Sequence, residues 1–179
     1  MKTLVIHIQD TSTDFLKPIY DLTAKVTVVR TNLSAKVMND LIEEHDRIIM
    51  LGHGSDNGLF GDAGGMIIGA ENVPALANKD NSIFIWCHAS DFVARWGLRG
   101  FSTGMFISEV GEALFCNVGK QLSRAILLED VEASNDEFAW IVGQNIDLND
   151  PKELLTAVKS EYDLQTEVCN YNRNLLVAM

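Results

Sequence analysis

At 179 residues, with 47% hydrophobic and 22% charged side chains, the chain matches one globular domain able to bury a core without disulfide or metal staples, and its composition excludes disorder. A net charge of −11 without any stripe of clustered Lys and Arg argues against nucleic-acid binding and for a solvated acidic surface. Three cysteines, Cys87, Cys116 and Cys169, form an odd set without C-x-x-C spacing, which argues against a disulfide framework or zinc knuckle; the default for each is a buried small hydrophobe.

The first apolar run, from Leu4 to Ile8, is too short for a membrane span or a signal-peptide core, and it ends in Asp10 without a small-residue cleavage site. Residues 3–8 therefore read as a first strand, and the protein as cytoplasmic with no membrane partner. Residues 14–22 read as a helix with Pro18 near its first turn. Residues 25–30 (KVTVVR) are β-rich. Ser34 is placed to cap a helix over 35–45, where Val37, Met38, Leu41 and Ile42 fall at helical spacing. The continuous apolar run 47–51 (RIIML) is what a strand covered on both faces looks like.

A glycine-rich stretch follows from Gly52 to Gly69 and predicts a loop with a small β-hairpin. A short helix is expected over 71–78, a second buried strand over 82–86 (SIFIW) ending at Cys87, and a short helix over 91–96. Residues 104–108 (GMFIS) read as another strand running into a helix capped by Ser108. The run Ser134-Asn135-Asp136-Glu137 reads as a helix start. Pro151 is placed in the first turn of a helix over 151–162, and residues 167–179 fit either an edge strand or a helix.

Strand–helix alternation over residues 1–110 predicts a mostly parallel, doubly wound sheet: a three-layer αβα sandwich with a helix-rich last third, all in one domain spanning 1–179. In such sheets ligands bind outside the carboxyl ends of the strands. Two polar groups stand there, His53 after the run 48–51 and Cys87 after the run 83–86. A thiol is a weak nucleophile until deprotonated, and a neighbouring imidazole can take its proton or stabilise the thiolate. Gly52 and Gly54 allow a tight bend, and the Gly54 N–H is the first candidate for an oxyanion donor.

A buried strand ending in His53-Gly54, a glycine-rich hairpin, and a second buried strand ending in Cys87 together resemble the caspase–gingipain–legumain superfamily of cysteine peptidases, with its CHAT and separase branches. The segment Gly97-Leu98-Arg99-Gly100 through Ser108 resembles the superfamily's turn into its next core strand. The resemblance covers residues 1–115 and implies a caspase-like fold with a catalytic dyad of His53 and Cys87. It implies peptide or amide hydrolysis through a thioester, a peptide or protein substrate, and no metal or organic cofactor. Trp86, where family members often carry Ala or Ser, is a departure, as is the short chain. Trp86, His88, Asp56 and Glu109 are the expected pocket residues, an acid there favouring Lys or Arg in the substrate.

Two other readings stand beside it. Cys87-His88 followed by a helix is similar to the PfpI-type branch of the glutamine-amidotransferase-like proteins, whose elbow has glycine where this chain has Ala89. A catalytically silent binding or regulatory domain of the caspase-like fold is the third. Elsewhere, the glycine stretch lacks the P-loop pattern, and Asp56, Asn57 and Asp62 lack EF-hand spacing. His7 and His45 read as structural, Asp46 as a turn residue, and Trp86, Trp96 and Trp140 as core. The oligomeric state is left open.

Overall fold

A computed structural model describes residues 1–21, 25–116 and 126–179. The strands, in chain order, are β1 (Thr3–His7), β2 (Val26–Val29), β3 (Arg47–Leu51), β4 (Gly54–Ser55), β5 (Gly58–Phe60), β6 (Met66–Ile68), β7 (Ser82–Ile85), β8 (Gly100–Thr103) and β9 (Leu176–Ala178). The helices are α1 (Pro18–Asp21), α2 (Ala35–Glu44), α3 (Val73–Leu76), α4 (Ala89–Trp96), α5 (Val110–Phe115), α6 (Leu128–Gln144), α7 (Pro151–Glu161) and α8 (Glu167–Asn174).

The protein is α/β, with a mostly parallel six-stranded sheet in the order β2-β1-β3-β7-β8-β9. Only β9 runs antiparallel, along the edge of β8. Side chains alternate along a strand, so successive residues feed different apolar clusters. Val5, Ile49, Ile83 and Phe101 pack with Phe138 and Val142 of α6 and Val158 of α7. Leu4, Ile48, Met50 and Phe84 pack with Met38 and Ile42 of α2 and Phe92 of α4. Each such side chain, fully buried, stabilises the fold by roughly 1.5–3 kcal/mol. The continuous apolar runs of β1 and β3 are buried at every position.

The glycine-rich stretch forms a three-stranded antiparallel meander, β4-β5-β6, one strand more than the expected hairpin. Among the described residues, no helix is long and apolar enough to cross a membrane.

Several boundaries differ from those the sequence predicts. The strand expected over 104–108 lies at Gly100–Thr103 instead. Gly100 (φ +152) explains the shift: a Cβ there would come within 2.3 Å of Ser82 O, so only glycine lets β8 close on β7. Residues 106 and 107 are buried and strand-like in composition, yet the Ile107 backbone is held by α8. Ile107 N–H donates to Asn172 Oδ1 at 2.8 Å and Asn172 Nδ2 donates to Ile107 O at 2.9 Å.

The helix start expected at Ser134 falls inside α6, which begins at Leu128. Ser134 and Asn135 resemble caps because they are small and polar. Their side chains instead make tertiary bonds, Ser134 to the Tyr162 hydroxyl and Asn135 Nδ2 to Ser108 O at 2.9 Å. The helix expected over 14–22 is a 3-10 turn, Thr11–Leu16, followed by α1; Leu22 lies outside the described residues. Pro18, with no N–H to give, starts α1. The tail is both of the things it resembled, α8 and then the edge strand β9.

Candidate active site

Strands β3 and β7 are hydrogen-bonded parallel neighbours with Leu51 opposite Ile85. His53 and Cys87 each follow that paired position by two residues, so the parallel register carries both to the same end of the sheet. Both line a cavity of about 790 Å3 at the strand ends. Gly52 (φ +145) turns the chain out of β3 in a conformation side-chain-bearing residues rarely adopt, while its N–H still bonds Ile85 O at 3.1 Å.

The two side chains have separate partners. The half-buried Cys87 thiol donates to Phe106 O at 3.4 Å and lies 3.8 Å from Glu112 Oε1. Burial first, and then the Glu112 carboxylate, push its pKa up to about 12. His53 Nε2 sits 2.7 Å from Ser12 Oγ and 3.8 Å from Asp10 Oδ2. Ser12 itself donates to Asp10 Oδ1 through its N–H at 2.9 Å and its hydroxyl at 2.8 Å, which holds the Asp10 carboxyl below its ordinary value. Among the described residues no hydrogen bond joins His53 to Cys87. They share a cavity, and neither is in the protonation contact that a preformed thiolate–imidazole pair has.

Gly54 lies in β4 and lines the same cavity. Phe60 N–H donates to His53 O at 2.8 Å, which makes Gly54 and Leu59 a non-hydrogen-bonded antiparallel pair and leaves the Gly54 N–H outside the ladder. Trp86 points into the core, only 2% exposed, with its ring edge-on to Phe84 and Phe92. Its Nε1–H donates to Ser55 O at 2.9 Å, tying β4 to the end of β7.

The other expected pocket residues divide. His88 lines the cavity from the left-handed position (φ 66) that starts α4, with Nδ1 2.9 Å from Asp91 Oδ2. Glu109 lines it from the N-cap of α5. Asp56 does not line it: the Arg95 guanidinium, in the last turn of α4, draws its carboxylate into an ion pair at 2.5 Å.

Glu112, Asp10 and Ser12 were not singled out by sequence reasoning. A legible signal existed for Glu112 in the Glu109-x-x-Glu112 spacing, which is that of a capping box. Glu112 Oε2 accepts from Ser108 N at 2.8 Å, Ser108 Oγ at 3.1 Å and Glu109 N at 3.1 Å. Thus Glu109, not Ser108, is the cap, and Glu112 turns its second oxygen to the thiol. Among the described residues no group of three or more His, Cys, Asp or Glu side chains is placed to hold a metal ion.

The remaining histidines are framework. His7 is fully buried, bonded to Tyr20 OH at 3.0 Å and Thr13 Oγ1 at 3.1 Å. His45 joins Leu41 O at 2.7 Å to Thr27 Oγ1 at 2.9 Å. Compared with known protein families and with curated proteins, the chain matches neither a family model nor any curated relative.

Proposed function

We propose that this chain is a cysteine peptidase or amide hydrolase of the caspase–gingipain–legumain kind, a three-layer αβα sandwich in which Cys87 is the nucleophile and His53 its base. The observation that carries this reading is the equal placement of the two residues beyond Leu51 and Ile85 on adjacent parallel strands, opening into one cavity. The thiol proton passes to His53 and the sulfur adds to the substrate carbonyl carbon. The carbonyl oxygen becomes an oxyanion facing the Gly54 N–H. The C–N bond then breaks, the leaving amine takes the proton from His53, and water hydrolyses the thioester to restore the thiol. Asp10 and Ser12 orient the imidazole.

One other reading draws on a specific observation. The raised pKa of Cys87 and its bonds to Phe106 and Glu112 rather than His53 are what a silent binding domain of this fold would retain. The amidotransferase-like reading has less support, because His88 Nδ1 is engaged with Asp91 on the surface.

The test is hydrolysis of a fluorogenic peptide library by wild type, Cys87→Ala and His53→Ala. The hydrolase reading expects cleavage by wild type and a loss of about 100-fold or more in each variant. Cleavage that survives Cys87→Ala, or none in wild type across the library, sinks it in favour of the silent domain.

A further inference from the structure

Among the described residues, the cavity beside Cys87 is lined by four carboxylate side-chain residues, Asp10, Asp62, Glu109 and Glu112, and by two histidines, His53 and His88, with neither lysine nor arginine. One of them stands apart in its bonding. Glu112 divides its two oxygens: Oε2 is saturated by three donors from the start of its own helix, while Oε1 has the Cys87 thiol as its hydrogen-bond partner. The carboxylate is thereby held in place, 3.8 Å from the sulfur, with its remaining acceptor capacity turned to the Cys87 thiol. A negative charge in that place opposes formation of a second one on sulfur. Among the described residues, the other titratable groups beside the thiol are Cys116 after α5 and Tyr171 of α8, with His53 and His88 in the same cavity lining.

We propose that Glu112 is a positioning residue that keeps Cys87 as a thiol until a cationic substrate side chain, of lysine or arginine, enters the cavity and pairs with it. The occupant's charge follows from the described lining: an ammonium or guanidinium group meets four carboxylates and no lysine or arginine, whereas an acidic side chain meets like charge from all four. Once a cation sits between Glu112 and its surroundings, the penalty on the thiolate falls, and the nucleophile forms only when a suitable substrate is in place. Specificity and activation are then one event. This inference rests on the hydrolase reading above for its purpose, but its physical content, a charge-gated thiol, is measured without any hydrolysis.

The experiment is the pH profile of Cys87 alkylation by iodoacetamide, in which the thiolate displaces iodide, resolved to this cysteine by peptide mass spectrometry. Wild type is compared alone, with N-acetyl-arginine amide, and with the uncharged near-isostere N-acetyl-citrulline amide. Glu112→Gln is run in parallel; glutamine keeps an oxygen for the Ser108 and Glu109 donors, so the helix start is retained. The arginine compound is expected to speed wild-type alkylation about tenfold at pH 8 and to move the profile to lower pH, with no effect from citrulline. Glu112→Gln is expected to react about tenfold faster than wild type unaided and to lose the response to arginine. An unchanged or slower wild-type rate with the arginine compound, an equal response to citrulline, or a wild-type profile in Glu112→Gln overturns the proposal. The ligand arms use the unaltered protein, so a misfolded variant cannot decide the matter. His53→Ala separates the two readings: if it alkylates and responds to arginine as wild type does, the role of His53 falls while the charge gate stands.

Discussion

Trp86 occupies the space where a side chain on Gly54 would begin: a Cβ built on Gly54 would lie 2.2 Å from Trp86 Cδ1 and 2.6 Å from Gly58 O. The indole thus packs against the backbone of the oxyanion candidate, and its N–H bond to Ser55 O fixes β4 against the end of β7. The bulky residue before the cysteine supports the site from beneath. Gly54→Ala forces one of these contacts to move. It is expected to cost about 1–3 kcal/mol, read as a lower urea midpoint at an unchanged m-value. Trp86→Phe in the same chain relieves only part of that loss, because Gly58 O remains in the way. Full stability in Gly54→Ala would show that the packing is looser than this.

His7 makes the protein sensitive to mild acid. Burial, and then the Arg30 guanidinium, lower its pKa from 6.5 to about 4. Its folded value lies below its unfolded one, so the neutral ring contributes stability above pH 6.5, and this is lost as pH falls through about 4. The loss amounts to about 3 kcal/mol. The lowered carboxyl groups Asp10, Asp14 and Asp46 act only below their own ordinary value of 3.8, so the two windows separate. Guanidinium titrations at pH 7 and pH 4.5, with and without His7→Gln, test this; an equal slope in both proteins removes His7 as the cause.

Cys87 titrates in the opposite sense. With its pKa raised from 9.0 to about 12, the half-buried thiol contributes stability that is intact below pH 9 and disappears as pH rises toward 12. In unliganded wild type, thiolate absorbance assigned to Cys87 by difference against Cys87→Ser is expected to rise only in that alkaline window. A midpoint near neutrality would mean that a thiolate–imidazole pair already exists.

Asn172, 1% exposed, replaces a strand partner for Ile107 with its own amide. Asn172→Ala strands a buried N–H and a buried C=O, at an expected cost of roughly 2–4 kcal/mol. The adjacent Phe106 carbonyl is the thiol's acceptor, so loosening this segment also disturbs Cys87. Hydrogen exchange at the Ile107 amide is expected to accelerate well before global unfolding; protection equal to wild type would count against the clamp.

Much of the sheet was legible because β-branched, apolar runs such as residues 47–51 have few alternatives to a strand buried on both faces. Residues 106 and 107 misled for the same reason: burial and β-rich composition are shared by a strand and by an irregular segment pinned by a side-chain amide. Ser134 and Asn135 misled because a helix cap and a tertiary hydrogen bond ask for the same small polar side chains. His53 and Cys87 were visible from their position after two apolar runs. Asp10 and Ser12 were not, and the Glu109-x-x-Glu112 spacing marks Glu112 only as a cap, since a short-range cap and a reach into a cavity look identical along the chain.

By itself the amino-acid sequence determined the alternation of strands and helices, the burial of β3 and β7, and the arrival of His53 and Cys87 at strand ends, because periodicity and turn chemistry are local. Tertiary structure alone decided that β3 and β7 are neighbours, that Asp56 turns away to Arg95, and that the thiol faces Glu112 and Phe106 rather than His53. Those outcomes depend on distances between residues far apart in the chain, and charge and hydrogen-bond competition at such contacts has no counterpart in local sequence.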